Sequence, residues 1–251
     1  MSKTQRNQSH HHRCLFLPLI GLTFIASLFV SMWLTASAQT LASEKLKIGI
    51  IGSGRVGSAL GKAWLTAGHQ VMFSSQHLED DKAFVATLGP NALAGTPTEA
   101  AQYGDVLLVA VPYGALPSLG KELGNTIKDK IVIDACNPIV TRDGEMAAAA
   151  RDKGAGLASS EFLPNTRIVR TFNAIPAAKM AEAATKQANF GMPMAGDDAL
   201  AIQIVSRLVR DAGYEPTLIG KLAMGKYLLP GTPLAGEHSV EELRKIAAEL
   251  K

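Results

Sequence analysis

From residue 45 onward, short apolar runs alternate with stretches of helical periodicity. Leu46–Ile51 (LKIGII) reads as a first strand, Ser58–Ala67 as a helix, Gln70–Phe73 as a second strand and Leu78–Leu88 as a second helix. Pro97–Tyr103 predicts a short helix, Asp105–Val111 (DVLLVAV) a strand, Leu116–Leu123 a helix and Lys130–Asp134 (KIVID) another strand. The strands are continuous Val/Ile/Leu runs with no polar phase, so neither of their faces meets water. Such strands, separated by helices, indicate a parallel sheet covered on both sides. The predicted class is therefore α/β, a doubly wound parallel sheet.

The later third is less regular. Gly144–Arg151 and Gly156–Leu163 read as helical turns, Ile168–Phe172 as a strand and Ala177–Thr185 as an alanine-rich helix. Asp197–Ala212 has the clearest amphipathic period, with Asp197 or Asp198 as cap. Glu215–Ile219 predicts a strand. His238–Leu250 predicts a closing helix, with Ser239 as N-cap and Glu242 completing a capping box. The expected organisation is a nucleotide-binding domain over residues 45–173 and a small C-terminal α/β extension, residues 174–251, packed on it.

Residues 1–38 follow a different pattern. Lys3, Arg6 and Arg13 precede an uncharged apolar run, Leu15–Leu34, and then Ala36-Ser37-Ala38. That order describes a secretory signal peptide cleaved near Ala38-Gln39. The alternative is an anchor formed by residues 15–34, since about 20 apolar residues span a bilayer. Either predicts an exported domain, periplasmic or secreted, or one held at the inner membrane. Setting the leader aside changes the charge balance: 25 basic residues fall to 22, equal to the 22 acidic ones. A balanced domain gives no reason to expect nucleic acid as partner, or a membrane beyond the leader. Cys136 is the only cysteine beyond the leader. With no histidine near it in sequence, it reads as a small buried residue rather than a nucleophile.

The chemistry is concentrated at Gly52-Ser53-Gly54-Arg55-Val56-Gly57, which follows a strand and opens a helix. Gly52 suits a tight turn, Gly54 lets backbone approach a pyrophosphate, and Gly57 lets helix and strand pack closely. The helix N-terminus then offers free N–H groups and a positive dipole end to phosphates. This is the dinucleotide fingerprint of a Rossmann domain. The selecting position at the end of the second strand holds Phe73-Ser74-Ser75-Gln76-His77 and no acid. Hydroxyls, amide and imidazole there favour the 2′-phosphate of NADP(H) over NAD(H), although no arginine is present. Glu79, Asp80 and Asp81 follow at the start of the next helix, where acids complement the dipole.

GIIGSGRVGSALGKAWLTAGH, the Ser74-Ser75 pair, VPY at 111–113, NAIPAA at 173–178 and AGDD at 195–198 together resemble the coenzyme F-420-dependent NADP oxidoreductases. The chain is also similar to the reductase domain of the six-transmembrane metalloreductases and to the N-terminal domain of pyrroline-5-carboxylate reductases. The resemblance implies that Ser53 to Val56 hold the pyrophosphate and that Ser74 and Ser75 hold the 2′-phosphate. It also implies that Val111 and Pro112 lie along the path to the nicotinamide, with Asn173 and Ile175 beside it. Two positions depart from the family. Arginine is frequent there where Ser75 or Gln76 stands here, and the deazaflavin enzymes carry histidine where this chain has Asn173.

Asn137, at the end of a strand, reads equally as a ligand for ribose or carboxamide and as a turn residue before Pro138. Tyr113 reads as a stacking residue or as loop cover, His69 as structural, and Lys226 as a snorkelling surface lysine. No metal spacing, nucleophile elbow or carboxylate pair appears, and no catalytic acid or base is assigned. The expected function is hydride transfer between NADPH and a flavin, a deazaflavin such as coenzyme F-420, or another small acceptor. An imine reductase of the pyrroline-5-carboxylate type and a non-catalytic dinucleotide-binding protein are the alternatives. A homodimer is compatible with either enzyme reading.

Overall fold

The computed structural model describes residues 45–183 and 190–250. The expected leader, and the last two residues of the helix expected over Ala177–Thr185, lie outside the described residues. Eight strands form one sheet: β1 (Lys47–Ile51), β2 (Gln70–Ser74), β3 (Ala92–Ala94), β4 (Val106–Val109), β5 (Ile131–Asp134), β6 (Arg167–Thr171), β7 (Gly191–Gly196) and β8 (Glu215–Gly220). Their order is β3-β2-β1-β4-β5-β6-β7-β8. The pairs from β3 to β6 are all parallel. β7 then runs antiparallel to β6, and β8 lies parallel to β7. The expected doubly wound sheet is present, with its topological switch between β1 and β4. The C-terminal extension continues the same sheet.

The helices are α1 (Arg55–Thr66), α2 (Leu78–Val85), α3 (Pro97–Tyr103), α4 (Leu116–Leu123), α5 (Val140–Lys153), α6 (Ala155–Phe162), α7 (Ala177–Ala183), α8 (Ala199–Asp211) and α9 (Val240–Glu249). Most expected elements appear within a few residues of their predicted bounds. α1 begins three residues before Ser58, directly on the glycine loop. α5 begins at Val140 and bends at Gly144, which has a left-handed φ of 64°. Asp198 caps α8 by accepting from the Ala201 N–H at 2.7 Å, while Asp197 accepts from the Leu222 N–H at 3.2 Å. Ser239 and Glu242 form the expected capping box on α9.

The two faces of the sheet carry separate apolar clusters. Val106 and Leu108 pack on one side with Ile50, Trp64 and Phe73, while Leu107 and Val109 pack on the other with Ile51 and Tyr113. Continuous apolar strands are what two covered faces require. The Trp64 indole N–H donates to the Leu208 carbonyl at 2.8 Å, and its ring meets the Phe172 ring edge-on at 6.3 Å. One side chain thus joins α1, α8 and the end of β6. His69, fully buried, accepts from the Leu46 N–H at Nδ1 and places Nε2 2.9 Å from Asp211. Its role is structural, as expected.

Two charges lie inside the sheet. Asp134 closes β5 and Arg170 lies opposite it on β6, with Nη1 donating to the carboxylate at 2.6 Å. Arg170 also donates to the Gly225 carbonyl at 3.2 Å and to Asn137 Oδ1 at 3.3 Å. Both side chains are essentially without solvent exposure. Removing one partner of such a pair leaves an uncompensated buried charge, at a cost of roughly 3–5 kcal/mol. Arg170→Met is therefore expected to lower unfolding free energy by about that amount in urea titrations. Adding Asp134→Leu to Arg170→Met should recover much of the loss.

Candidate dinucleotide site

β1 leaves the sheet at Gly52, whose φ of 104° admits the turn and whose added Cβ would lie 2.5 Å from the Ala110 carbonyl oxygen. A Cβ at Gly57 would lie 2.1 Å from the Gly52 carbonyl oxygen and 2.9 Å from Ile50. Helix and strand can approach this closely only without that carbon. A Cβ at Gly54 would meet nothing within 4 Å. The space above Gly54 is open, and it lies at the N-terminus of α1, where no side chain caps the helix and no acid occupies the first turn. An uncapped N-terminus beside open space suits a pyrophosphate, which would take the amide donors.

The loop from Gly52 to Gly54 forms one wall of a cleft of about 340 Å³ at the carboxyl ends of β1 and β4. Gly52, Ser53, Gly54, Ser75, Val111 and Pro112 line it, together with Gln76, His77, Pro97, Ser118 and Glu122. Arg55 and Val56 stand at the start of α1 and face a neighbouring hollow of about 590 Å³ shared with Pro176 and Ala177.

Ser74 does not reach the cleft. Its buried hydroxyl donates to the Ile50 carbonyl at 2.7 Å, and its own carbonyl accepts from the Gly52 and Ser53 amides. The expected role at a 2′-phosphate thus gives way to joining β2 to the glycine loop. Ser75 is at the cleft, but its hydroxyl donates to Asp81 Oδ2 at 2.7 Å. Ser53 donates to the other oxygen of the same carboxylate. Asp81, on α2, is 3% exposed. Reading it as a helix-dipole acid missed this, although Leu78, Asp81 and Val85 share the inward phase of α2.

A second polar group lies where β5 and β6 end. Asn137 is engaged at both ends of its amide: Nδ2 donates to the Asn173 carbonyl at 2.8 Å, and Oδ1 accepts from Arg170. Asn137 thereby ties the segment after β5 to Arg170 and to the Asn173 backbone. Asn173 Nδ2 donates to the Cys136 carbonyl at 3.2 Å, while Oδ1 is buried with no partner. Phe172, directly before it, is held at φ 66°. A bulky residue in the left-handed region is an outlier that surrounding packing must hold, and such outliers cluster at functional sites. Ile175 is buried nearby in the core. Sequence reasoning found Asn173 but not the Asp134–Arg170 pair supporting it. The available signal was an acid ending one apolar strand and an arginine following the apolar pair Ile168-Val169 in the next.

Two other candidates resolve as core. Burial pushes the Cys136 thiol well above its ordinary pKa, with the Asp134 carboxylate adding to the effect. Tyr113 is fully buried and its hydroxyl donates to the Ala155 carbonyl at 3.0 Å, so it does not stack in the cleft. Lys226 is exposed, with its ammonium over the Tyr227 ring at 4.8 Å. His238 meets the Ala235 carbonyl, and among the described residues no group of three His, Cys, Asp or Glu side chains could hold a metal.

Residues 47–138 match the family described as NADP oxidoreductase, coenzyme F420-dependent. The match runs from β1 through the turn after β5, the part of the sheet that forms the cleft, so the resemblance read from the glycine loop holds there. Metalloreductase STEAP3 of Rattus norvegicus is 28% identical over 193 residues, 76% of this chain and 37% of its own length. The chain thus spans little more than a third of that relative. A hypothetical protein from Sinorhizobium meliloti superposes with a TM-score of 0.67 at 25% identity, covering 78% of this chain and 96% of the other. A protein assigned as an F420-dependent NADP reductase from Arthrobacter sp. shares the fold, with a TM-score of 0.62 at 17% identity over 72% of this chain and 87% of its own.

The three glycines make separable predictions. Gly54→Ala should leave the melting temperature nearly unchanged yet weaken dinucleotide binding about tenfold or more, since only the ligand competes for that space. Gly57→Ala should instead destabilise the fold by about 1–3 kcal/mol through overpacking. Calorimetry and dinucleotide titration on both variants check this. A further expectation concerns pH. Burial raises the Tyr113 and Tyr214 phenols to about 12. Their unfolded value is about 10. The stability they contribute is therefore complete below about pH 10 and lost as pH rises towards 12. Tyrosinate absorbance from these two residues should appear together with loss of circular dichroism, and Tyr113→Phe should remove its share.

Proposed function

We propose that the protein is an NADP(H)-dependent oxidoreductase that passes hydride between the nicotinamide and a flavin, deazaflavin or other small redox acceptor. The observation that carries this reading is the uncapped start of α1 beside the open space at Gly54, at the switch point of the sheet. Bound there, a nicotinamide dinucleotide supplies the hydride chemistry. The protein's own part is to hold, orient and exclude water, which is where much of the rate advantage of such enzymes arises. Gly54 and the start of α1 would hold the pyrophosphate. Val111 and Pro112 would wall the path along the carboxyl edge. Asn173 Oδ1, the buried acceptor without a partner, suits an amide donor such as the nicotinamide carboxamide.

The named relatives support the electron-transfer class, and the choice of acceptor is part of the proposal. The pyrroline-5-carboxylate type of reading fits less well. Among the described residues, 174–183 and 190–250 carry α7, β7, α8, β8 and α9, with both strands in continuation of the sheet, rather than a helical dimerisation domain. Export of the domain behind residues 1–38 is likewise proposed, on the order of basic, apolar and small residues there. N-terminal sequencing of the mature protein tests it, and an intact Met1 in the cytosol would refute it.

Steady-state NADPH oxidation with flavin, deazaflavin and ferric acceptors tests the function. One acceptor class should accelerate turnover, and Asn173→Ala should lower kcat about tenfold or more with a smaller change in dinucleotide affinity. Tight dinucleotide binding with no acceptor reduced would leave a binding protein in place of an enzyme.

A further inference from the structure

The Asp81 carboxylate occupies an unusual place. It comes from α2, is buried, and accepts hydrogen bonds from Ser53 on the glycine loop and Ser75 after β2. Those two segments flank the adenosine ribose in dinucleotide-binding sheets of this topology. Each serine hydroxyl has one proton to give. With both protons directed at Asp81, neither hydroxyl donates into the cleft. Ser75 Oγ also accepts from the His77 N–H at 3.0 Å, which fixes its rotamer. What the two serines present to a ligand is oxygen lone pairs backed by a negative charge one hydrogen bond behind.

Such a surface discriminates by chemistry. A ribose 2′-hydroxyl can donate to a serine oxygen. A 2′-phosphate near neutral pH carries negative charge and only acceptors, so it meets lone pairs and a like charge. We propose that Asp81 is a positioning residue for cofactor choice: through Ser53 and Ser75 it lowers the preference for the 2′-phosphate, so that the protein takes NADH as well as NADPH. The inference rests on the proposal that a dinucleotide binds this cleft. It replaces the expectation that the serine hydroxyls hold the 2′-phosphate. Gln76 and His77, exposed at the rim, are the side chains left to meet a phosphate on this side.

The test is equilibrium binding of NADH and NADPH, followed by nicotinamide fluorescence, to the whole chain and to three variants. The unaltered protein should bind the two within about tenfold of each other. Asp81→Asn removes the charge, and its amide N–H group releases one serine proton into the cleft. The ratio of NADPH to NADH affinity should then rise about tenfold, whereas a purely structural role would weaken both ligands in parallel. Ser53→Ala and Ser75→Ala keep the carboxylate and serve if Asp81→Asn does not fold. Each removes an oxygen to which a ribose 2′-hydroxyl would donate, so NADH affinity should fall more than NADPH affinity and the ratio of NADPH to NADH affinity should rise about threefold or more. A selective loss of NADPH binding in either serine variant, or an unchanged ratio in Asp81→Asn, would overturn the inference while leaving the dinucleotide site intact. Failure of both dinucleotides to bind the unaltered protein would instead overturn the proposed site, and this inference with it.

Discussion

The contact between Arg170 and Asp134 is the constraint around which the second half of the molecule is arranged. A guanidinium without access to water must have its donors met, and here the carboxylate, the Asn137 amide and carbonyls of the 222–228 turn meet them. Satisfying that one group fixes where β5 and β6 end relative to each other. It also brings the turn after β8 back against the sheet. Asn137, held in this way, anchors the Asn173 backbone, so the geometry of the last loop on the carboxyl edge derives from a charge placed well below it. A half-satisfied network of this kind would be worse than an apolar core. Within it, the single unmatched atom is Asn173 Oδ1.

The two ends of the cleft solve opposite electrostatic problems. At the start of α1 the backbone presents positive character with no side-chain cap and no acid in the first turn. At the end of β2 a buried carboxylate absorbs the hydroxyl donors that surround it. The first arrangement welcomes a diphosphate, and the second grades what may be attached to the ribose. Both depend on residues without bulk: Gly57 lets α1 sit against β1, and the small Ser53 and Ser75 let α2 bring its acid close.

The parallel strands were legible because burial on both faces leaves continuous Val, Ile and Leu runs that no other element produces as economically. The glycine loop was legible because its three positions carry different steric demands, each visible at Gly52, Gly54 and Gly57. β3 and β7 were not anticipated. Ala92–Ala94 is short and nearly featureless, and GMPMAG carries two glycines and a proline, residues that ordinarily depress strand formation. Pro193 lies beyond the last β6 pairing, where the Thr171 hydroxyl reaches its carbonyl at 3.0 Å, and on its other side stays in register with Thr217 of β8. The roles of Ser74, Ser75 and Asp81 were hidden for another reason. A side-chain hydroxyl has no preferred direction in a sequence, and only the packing of α2 on β2 decides which way its proton points.

The strand order has a consequence for how the site comes into being. Among the described strands, every neighbouring pair in the sheet is consecutive in the chain except β1 and β4. Their first pairing, Ile48 with Val106, closes a loop of nearly sixty residues. Loop closure is the entropic toll on such a contact, and long-range pairings are the slow steps of assembly. The cleft straddles this one junction. During synthesis the glycine loop emerges early, yet it gains its opposite wall only after Val111 and Pro112 have left the ribosome. The most sequence-local motif in the protein thus belongs to the least local strand pairing of its sheet.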